Sequence, residues 1–391
     1  MLIGRRITVL GGGIAGLAAA TALALGGAQV TLLEQATAIR EVGAGLQISP
    51  NGVAVLSALG LGQEIARIGE RGREVRLRDY RRGRAVLSLD LNRSSGPFFF
   101  VHRADLIDML TGAARAAGVK IRLLHRVTEA RPGDAGTCLV TAQGATMPGG
   151  LVIGADGLHS VLRGALNGKV APDFTGQVAW RAVVPAIGPV PPVATVYIGP
   201  GRHLVSYPLR GGSQVNIVAV EERRAWTEES WTQTDDPANL RAAFAGFAPE
   251  VRELLDRVET VHLWGLFRHP VAAHWHRGGV AALIGDAAHP TLPFMAQGAN
   301  MALEDAWVLT AMLSAHDDSS AALAAYQAAR RARCARIVAA ASRNAGNFHL
   351  RYPPLRAAAH TALRLGGRLA PQRMQSRFDW IYDYDAPREF P

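Results

Sequence analysis

Residues 7–34 read ITVLGGGIAGLAAATALALGGAQVTLLE, and their reading decides the fold. ITVL is a short apolar run of strand length. GGGIAG follows it, and LAAATALAL reads as a helix that stops at two glycines. QVTLL is the next strand, closed by Glu34, 23 residues after Gly11. The stretch is a βαβ start carrying G-x-G-x-x-G at Gly11, Gly13 and Gly16, and Ile14 and Ala15 within it are expected with these glycines to bind the cofactor. The glycines differ in what they permit. Gly11 allows the tight turn, Gly13 the close approach of a pyrophosphate, and Gly16 the packing of the helix. The free N–H groups of the helix start suit phosphates. Glu34 suits an adenosine ribose hydroxyl and disfavours a 2′-phosphate, which points to FAD or NAD in this site.

Composition narrows the class. The chain has 391 residues, 49% of them hydrophobic, enough for a large core and two domains. The formal net charge of +10 comes mostly from scattered arginines. Two denser patches, ERGREVRLRDYRRGR at 70–84 and RRARCAR at 330–336, read as solvated faces, since no nucleic-acid motif accompanies them. Two distant cysteines, Cys138 and Cys334, give neither a disulfide framework nor metal-ligand spacing and fit a reducing cytoplasm. The apolar N-terminus imitates a secretory signal, but its glycines fit the βαβ unit better, and no other run is long enough for a membrane span. His269, His274 and His276 have no neighbouring acids or cysteines, so no metal site is expected.

Three further stretches refine the cofactor. REVGAGLQISPN at 40–51 places Gly43 and Gly45 in a second close-approach loop, before a helix that Ser49 and Pro50 open and that runs to about Leu59. Such a loop favours FAD over NAD. LVIGADGLHSVLR at 151–163 is a strand, an Asp156-Gly157 turn and a helix with Ser160 at its start and Arg163 one turn on. VAALIGDAAHPTLPFMAQGAN at 280–300 is a buried strand running into Asp286, at the carboxyl end where open α/β sheets bind ligands. QGAN then opens a helix at Gly298.

Three motifs in this order, G-x-G-x-x-G with Glu34, then GADGxxSxxR, then GDAAHPxxPxxAQGAN, resemble the single-component FAD-dependent aromatic hydroxylases, the group A flavoprotein monooxygenases of the p-hydroxybenzoate and salicylate hydroxylase type. The resemblance spans residues 1 to about 330, and VHRADLIDML at 101–110 adds to it. It implies that Asp286 holds the ribityl chain, that Gly298, Ala299 and Asn300 face the flavin pyrimidine, and that Arg103 touches FAD. It implies that Pro293 lines the flavin and substrate side. It also implies that Asp156 and Arg163 help hold FAD and receive a transient nicotinamide. A second strand–GxGxxG–helix unit is absent from the sequence, in keeping with an NADH or NADPH co-substrate that visits and leaves.

The implied fold is α/β: a Rossmann-like FAD-binding domain of the glutathione-reductase βαβ type, an inserted antiparallel β-sheet substrate domain and a C-terminal helical region. The expected division is 1–70, 98–175 and 262–320 for FAD, 71–97 and 176–261 for substrate, and 321–391 for the C-terminal helices and tail. GRHLVSYP puts His203 and Tyr207 four apart, hence on one face of a strand. The pair resembles a histidine–tyrosine pair that sits over the substrate in members of that family, where histidine accepts a phenol proton and tyrosine holds the phenolic oxygen. Arg181 suits the flavin or a substrate carboxylate. The expected activity is NAD(P)H- and O2-dependent hydroxylation of a salicylate-, hydroxybenzoate- or hydroxynicotinate-like acid through a flavin C4a-hydroperoxide. An oxidase, dehydrogenase or reductase on the same frame is the alternative. The expected partner is a small aromatic acid or phenol, with no nucleic acid, no stable membrane association, and a cytoplasmic monomer or homodimer.

Overall fold

The computed structural model describes residues 2–39, 44–223 and 233–391. Its first sheet is ordered by strands 276–277, 281–283, 146–154, 6–10, 29–33 and 120–122, with the ribbon 127–133/136–141 extending from one side. The strand at 6–10 runs parallel to both neighbours, and the strand at 281–283 runs parallel to 146–154. The register pairs Leu10 with Gly154 and Gly154 with Leu283. All three motif strands therefore end on one line. Gly11, Asp156 and Asp286 emerge side by side at the carboxyl edge, although 275 residues separate the first from the last.

The helix Ile14–Leu25 is buried almost all round, from Gly16 to Leu23. Its alanines and single leucines let it lie between the sheet and the helix Gly298–Ala315. An all-apolar helix of this kind is stable only inside a layered core.

The second sheet has eight strands, ordered 234–235, 261–268, 173–185, 214–222, 202–209, 193–199, 74–79 and 85–90. It is antiparallel except where 193–199 meets 74–79. One face packs Trp180, Ile217 and Val261 onto the helices Pro237–Ala243 and Pro249–Asp256 through Leu240, Phe244 and Leu254. The other face packs Ala179, Val220, Trp264 and Leu266 onto Leu292 and Phe294 of the third motif. A small third sheet, 45–48, 99–102 and 70–71, links the two large ones.

The C-terminal region is the long helix Ser319–Phe348, the helix Pro353–Leu369 against the outer strand 85–90, and three short helices. Among the described residues no helix is long and apolar enough to cross a membrane.

Candidate functional site

At the first strand end the glycines are set by contact. Gly11 has φ +99°, and a Cβ there would lie 2.4 Å from the Ala155 carbonyl oxygen. A Cβ on Gly16 would lie 2.0 Å from the Gly11 oxygen. Gly13 is different: a Cβ there meets nothing within 4 Å, and Gly13 caps the helix with backbone alone. The side of the turn that faces the cleft is thus open, and the bare helix start lies behind it. This cradle fits a pyrophosphate. Glu34 accepts from the Gly12 N–H at 2.7 Å and the Ala36 N–H at 2.8 Å, which fixes the carboxylate beside the same turn. Ile14 is buried, and Ala15 packs where a Cβ on Gly285 would come within 2.8 Å of it.

At the second strand end, Asp156 accepts from Ser160 Oγ at 2.5 Å and from the Val161 N–H at 2.8 Å. Burial pushes its carboxyl up, and these bonds oppose that push without reversing it. Ser160 in turn caps Arg163 N at 2.9 Å. The Arg163 guanidinium donates to the carbonyls of Ala287 and Pro270 at 3.1 and 2.5 Å. Asp156 thus fixes the start of the helix, and Arg163 is the strut that ties the second motif to the loop carrying Asp286.

At the third, Gly285 at φ +59° turns the chain so that Asp286 reaches the cleft. Its side chain is open to solvent, yet the protein around it pushes the carboxyl up, while His289, Arg103 and His269 pull it down. Ala296 at φ +52° and Gln297 then lead into the helix Gly298–Ala315. Its first backbone bond runs from Met301 N to Gln297 O, so the N–H groups of Gly298, Ala299 and Asn300 precede the ladder and add positive potential at the cleft.

The Asn300 side chain faces inward. Its Oδ1 accepts from Ser49 N at 3.0 Å, and its Nδ2 donates to the Gln47 and Ala296 carbonyls. A Cβ on Gly52 would lie 2.2 Å from that Oδ1. The helix Pro50–Ala58 is therefore clamped to the QGAN turn, and Asn51 and Ser49 close the clamp on Gln297. Ser49 flanks the helix start as expected, but its hydroxyl donates to Asn51 Oδ1 rather than accepting from the helix backbone. Gly43 lies outside the described residues.

Beneath the clamp is a buried charge cluster that no motif announces. His289 Nε2 meets Asp305 Oδ2 at 2.5 Å, Arg330 Nε meets Asp305 Oδ1 at 2.9 Å, and Arg330 meets Glu304 at 2.6 Å, all fully buried. Asp305 Oδ2 also accepts from Gly285 N at 2.9 Å. Arg333 reaches Glu304 at 2.9 Å and stacks on Tyr384. The arginine patch at 330–336 is therefore only half a solvated face: Arg331 and Arg336 are exposed, whereas Arg330 and Arg333 point inward because Glu304 and Asp305 stand one helix away. The sequence signal for it is an acid pair inside an otherwise apolar helix. His289, Asp305 and Cys334 also lie close enough together to bind a metal, but the Arg330 guanidinium already supplies the cation there. The aromatic tail packs against the FAD side, with Ile381 buried and Trp380 under Arg336.

The roof over the cleft is the second sheet. His203 and Tyr207 sit on the strand 202–209, and the register pairs Val205 with Val218 and Val218 with Arg181. Side chains of paired residues share a face, so His203, Tyr207 and Arg181 project together. His203 is 2% exposed and packs beside Phe294 of the Pro293–Met295 turn, with ring centroids 5.5 Å apart. Tyr207 packs on Phe100, and a Cβ on Gly45 would lie 2.8 Å from its hydroxyl. Burial raises the Tyr207 phenol far above its usual range, with Arg181 opposing. Gly45 N donates to Asn216 Oδ1 at 2.7 Å, which pins the small sheet under the roof. Arg181 stacks on Trp264 at 4.3 Å. Arg103 starts the helix 103–116 with its N–H on the Ala44 carbonyl.

A family model described as "FAD binding domain" matches residues 5–341. The chain belongs to that family. Two curated relatives align over 97% of this flavoprotein. One is 3-amino-4-hydroxybenzoate 2-monooxygenase PtmB3 of Streptomyces platensis, 36% identical over 96% of its own length. The other is 3-hydroxybenzoate 6-hydroxylase of Polaromonas naphthalenivorans, 34% identical over 96% of its length. Among solved structures, Klebsiella pneumoniae HpxO complexed with FAD and uric acid superposes with a TM-score of 0.83 at 28% identity, covering 93% of this chain and 94% of the other. The flavoprotein is thus an FAD-dependent aromatic monooxygenase, using NAD(P)H and O2. The residues beyond the first and third of these strand ends fit FAD: open backbone at Gly13, a carboxyl group at Asp286 and a bare helix start at Gly298.

Proposed function

We propose that this flavoprotein hydroxylates a phenolic aromatic acid of the hydroxybenzoate, salicylate or hydroxynicotinate kind. The observation that carries the reading is the shared face of His203, Tyr207 and Arg181 above the Pro293 turn. Reduced FAD, when bound, supplies the oxygen-activating chemistry. The chain supplies three things. His203 accepts the phenol proton, because burial and the neighbouring His349 hold its imidazole neutral. Arg181 faces the carboxylate as a fixed cation held flat by Trp264. Pro293, Phe294 and the aliphatic roof exclude water.

Strand spacing refines the role of Tyr207. It stands four residues from His203, about 13 Å along the strand. One phenolic oxygen does not suit both, so Tyr207 attends the far end of the ring as a neutral donor. Glu34, Gly11, Gly13 and Gly16 hold the adenosine half of FAD; Asp286, Gly298, Ala299 and the backbone of Asn300 hold the flavin half; Arg103 and Gly45 border it. Arg163 and Asp156 brace the loop where NADH or NADPH visits. A cytoplasmic monomer or homodimer that binds neither nucleic acid nor membrane suits this chemistry.

The test is a panel of hydroxylated benzoates and pyridine carboxylates, scored by NAD(P)H oxidation and by product mass. Stimulation with a product gaining one oxygen supports the reading. NAD(P)H oxidation without an oxygenated product from any of them contradicts it.

A further inference from the structure

His203 does not stand alone in the roof. Its Nδ1 lies 2.7 Å from His349 Nε2, and His349 Nδ1 lies 3.0 Å from Glu222 Oε1. Glu222 closes the strand 214–222, and His349 ends the long C-terminal helix. His349 is 3% exposed. Glu222 reaches solvent through a surface hollow of about 500 Å3, which it lines with Gln177 and Arg351. We propose that His203, His349 and Glu222 form a proton relay between the phenol of the bound substrate and solvent. This rests on the functional reading above and adds two positioning residues to it.

The hydrogen-bond chemistry fixes the direction. Glu222, paired with Arg351 at 2.5 Å, is an acceptor only. His349 must then carry its proton on Nδ1 and present a lone pair at Nε2. His203 must in turn donate from Nδ1, which leaves its Nε2 as a bare base. That atom makes no hydrogen bond to any described residue. The Gln177 amide reaches the same Nδ1 of His349 at 3.3 Å, and with its oxygen turned inward it is a second acceptor. The charged groups facing His349 are Glu222, Arg351 and Arg202. Burial keeps both imidazoles below the usual range, so the resting chain is neutral up to the carboxylate.

The transfer balances. The phenol O–H breaks and a proton joins His203 Nε2. The Nδ1 proton of His203 moves to His349 Nε2, the Nδ1 proton of His349 moves to Glu222, and Glu222 releases it to water. Both rings are left as the opposite tautomer. Reprotonation of the product phenolate runs the chain backwards and restores them, with no net proton or electron consumed in the shuttle.

The experiment uses the FAD-loaded full chain and the variants His349→Ala and Glu222→Gln, checked for wild-type FAD content. Hydroxylation is followed with 3-hydroxybenzoate and 3-amino-4-hydroxybenzoate across pH. His349→Ala is expected to lower kcat by about tenfold or more, with the largest loss at low pH, and with KM little changed. Imidazole, entering from the hollow, is expected to restore the rate with saturation. A wild-type pH profile in His349→Ala, or no rescue in an FAD-loaded variant, overturns the relay. A second arm needs no turnover: nitrogen NMR of 15N-histidine protein is expected to show Nδ1–H tautomers for His203 and His349, and Glu222→Gln is expected to disturb both. Undisturbed tautomers overturn the relay. Normal tautomer coupling with no hydroxylated product supports the hydrogen-bonded chain and counts against the substrate reading instead.

Discussion

Asp305 joins His289 to the cofactor loop: one of its carboxylate oxygens takes both His289 Nε2 and the backbone N–H of Gly285, the residue before Asp286. The charge cluster therefore sits one peptide behind the carboxyl group proposed to hold the ribityl chain. Asp305→Asn leaves Arg330 and His289 without their shared counter-charge. The expected cost is about 3–5 kcal/mol of stability, as for breaking one side of a buried ion pair, with weakened FAD retention. Denaturant unfolding and FAD titration read both.

The same pair gives a pH signature. Burial alone would lower the His289 imidazole, but Asp305 outweighs it and holds the group protonated well above the usual range. A raised folded-state value means the contribution is complete below the unfolded value of about 6.5 and is lost as pH rises through the folded one. Asp305 and Glu304 are depressed, so their contribution is present above about 4.5 and lost as pH falls. Wild-type stability should thus decline on the alkaline side, and His289→Gln should flatten that slope. An unchanged slope in His289→Gln contradicts the assignment.

Two glycine substitutions separate folding from binding. Gly16→Ala places a methyl on the Gly11 carbonyl and is expected to yield unstable, colourless protein. Gly13→Ala meets no protein atom and has an ordinary φ of −81°. It should fold with a loss of about 1 kcal/mol or less while losing FAD affinity, because its methyl fills the cradle. Thermal melts of apoprotein and flavin absorbance distinguish the two.

His203→Asn removes the proposed base and should lower the rate of product formation by about 10²–10⁴-fold. NAD(P)H oxidation is expected to continue and to become uncoupled, releasing peroxide. Product yield per NAD(P)H is the readout.

Arg181→Gln removes the proposed counter-ion of the carboxylate. A lost charged hydrogen bond of about 1.5–3 kcal/mol corresponds to roughly 10–100-fold in KM. Ester or amide analogues should show little difference between wild type and variant. A KM change equal for acid and amide would argue against carboxylate recognition.

The flavin half of this molecule is legible in the sequence because its signals are local. A glycine that must turn, an acid that must end a strand and a helix start without a cap each lie inside one continuous motif. The parallel register then brings three such ends to one edge. The strand 202–209 is legible by alternation, and its shared face for His203 and Tyr207 follows from period two. What joins those residues to others is not legible. His349 lies 146 residues from His203 in sequence, and Glu222 lies 127 from His349, so no spacing announces either contact. Arg330 reads as solvated because its sequence neighbours are arginines, whereas its spatial neighbours are Glu304 and Asp305. His289, for which the motif offers no chemistry, acquires a role only through Asp305, a residue of the following helix.

The most direct measurement is a single turnover under ¹⁸O2. FAD-loaded protein is reduced anaerobically with NADH or NADPH in the presence of the panel acid that most stimulates oxidation, then mixed with the labelled gas. One atom of ¹⁸O in the aromatic product, and none from labelled water, is the predicted result. Reoxidation that yields only hydrogen peroxide, or a dehydrogenated product without label, would contradict the hydroxylase assignment.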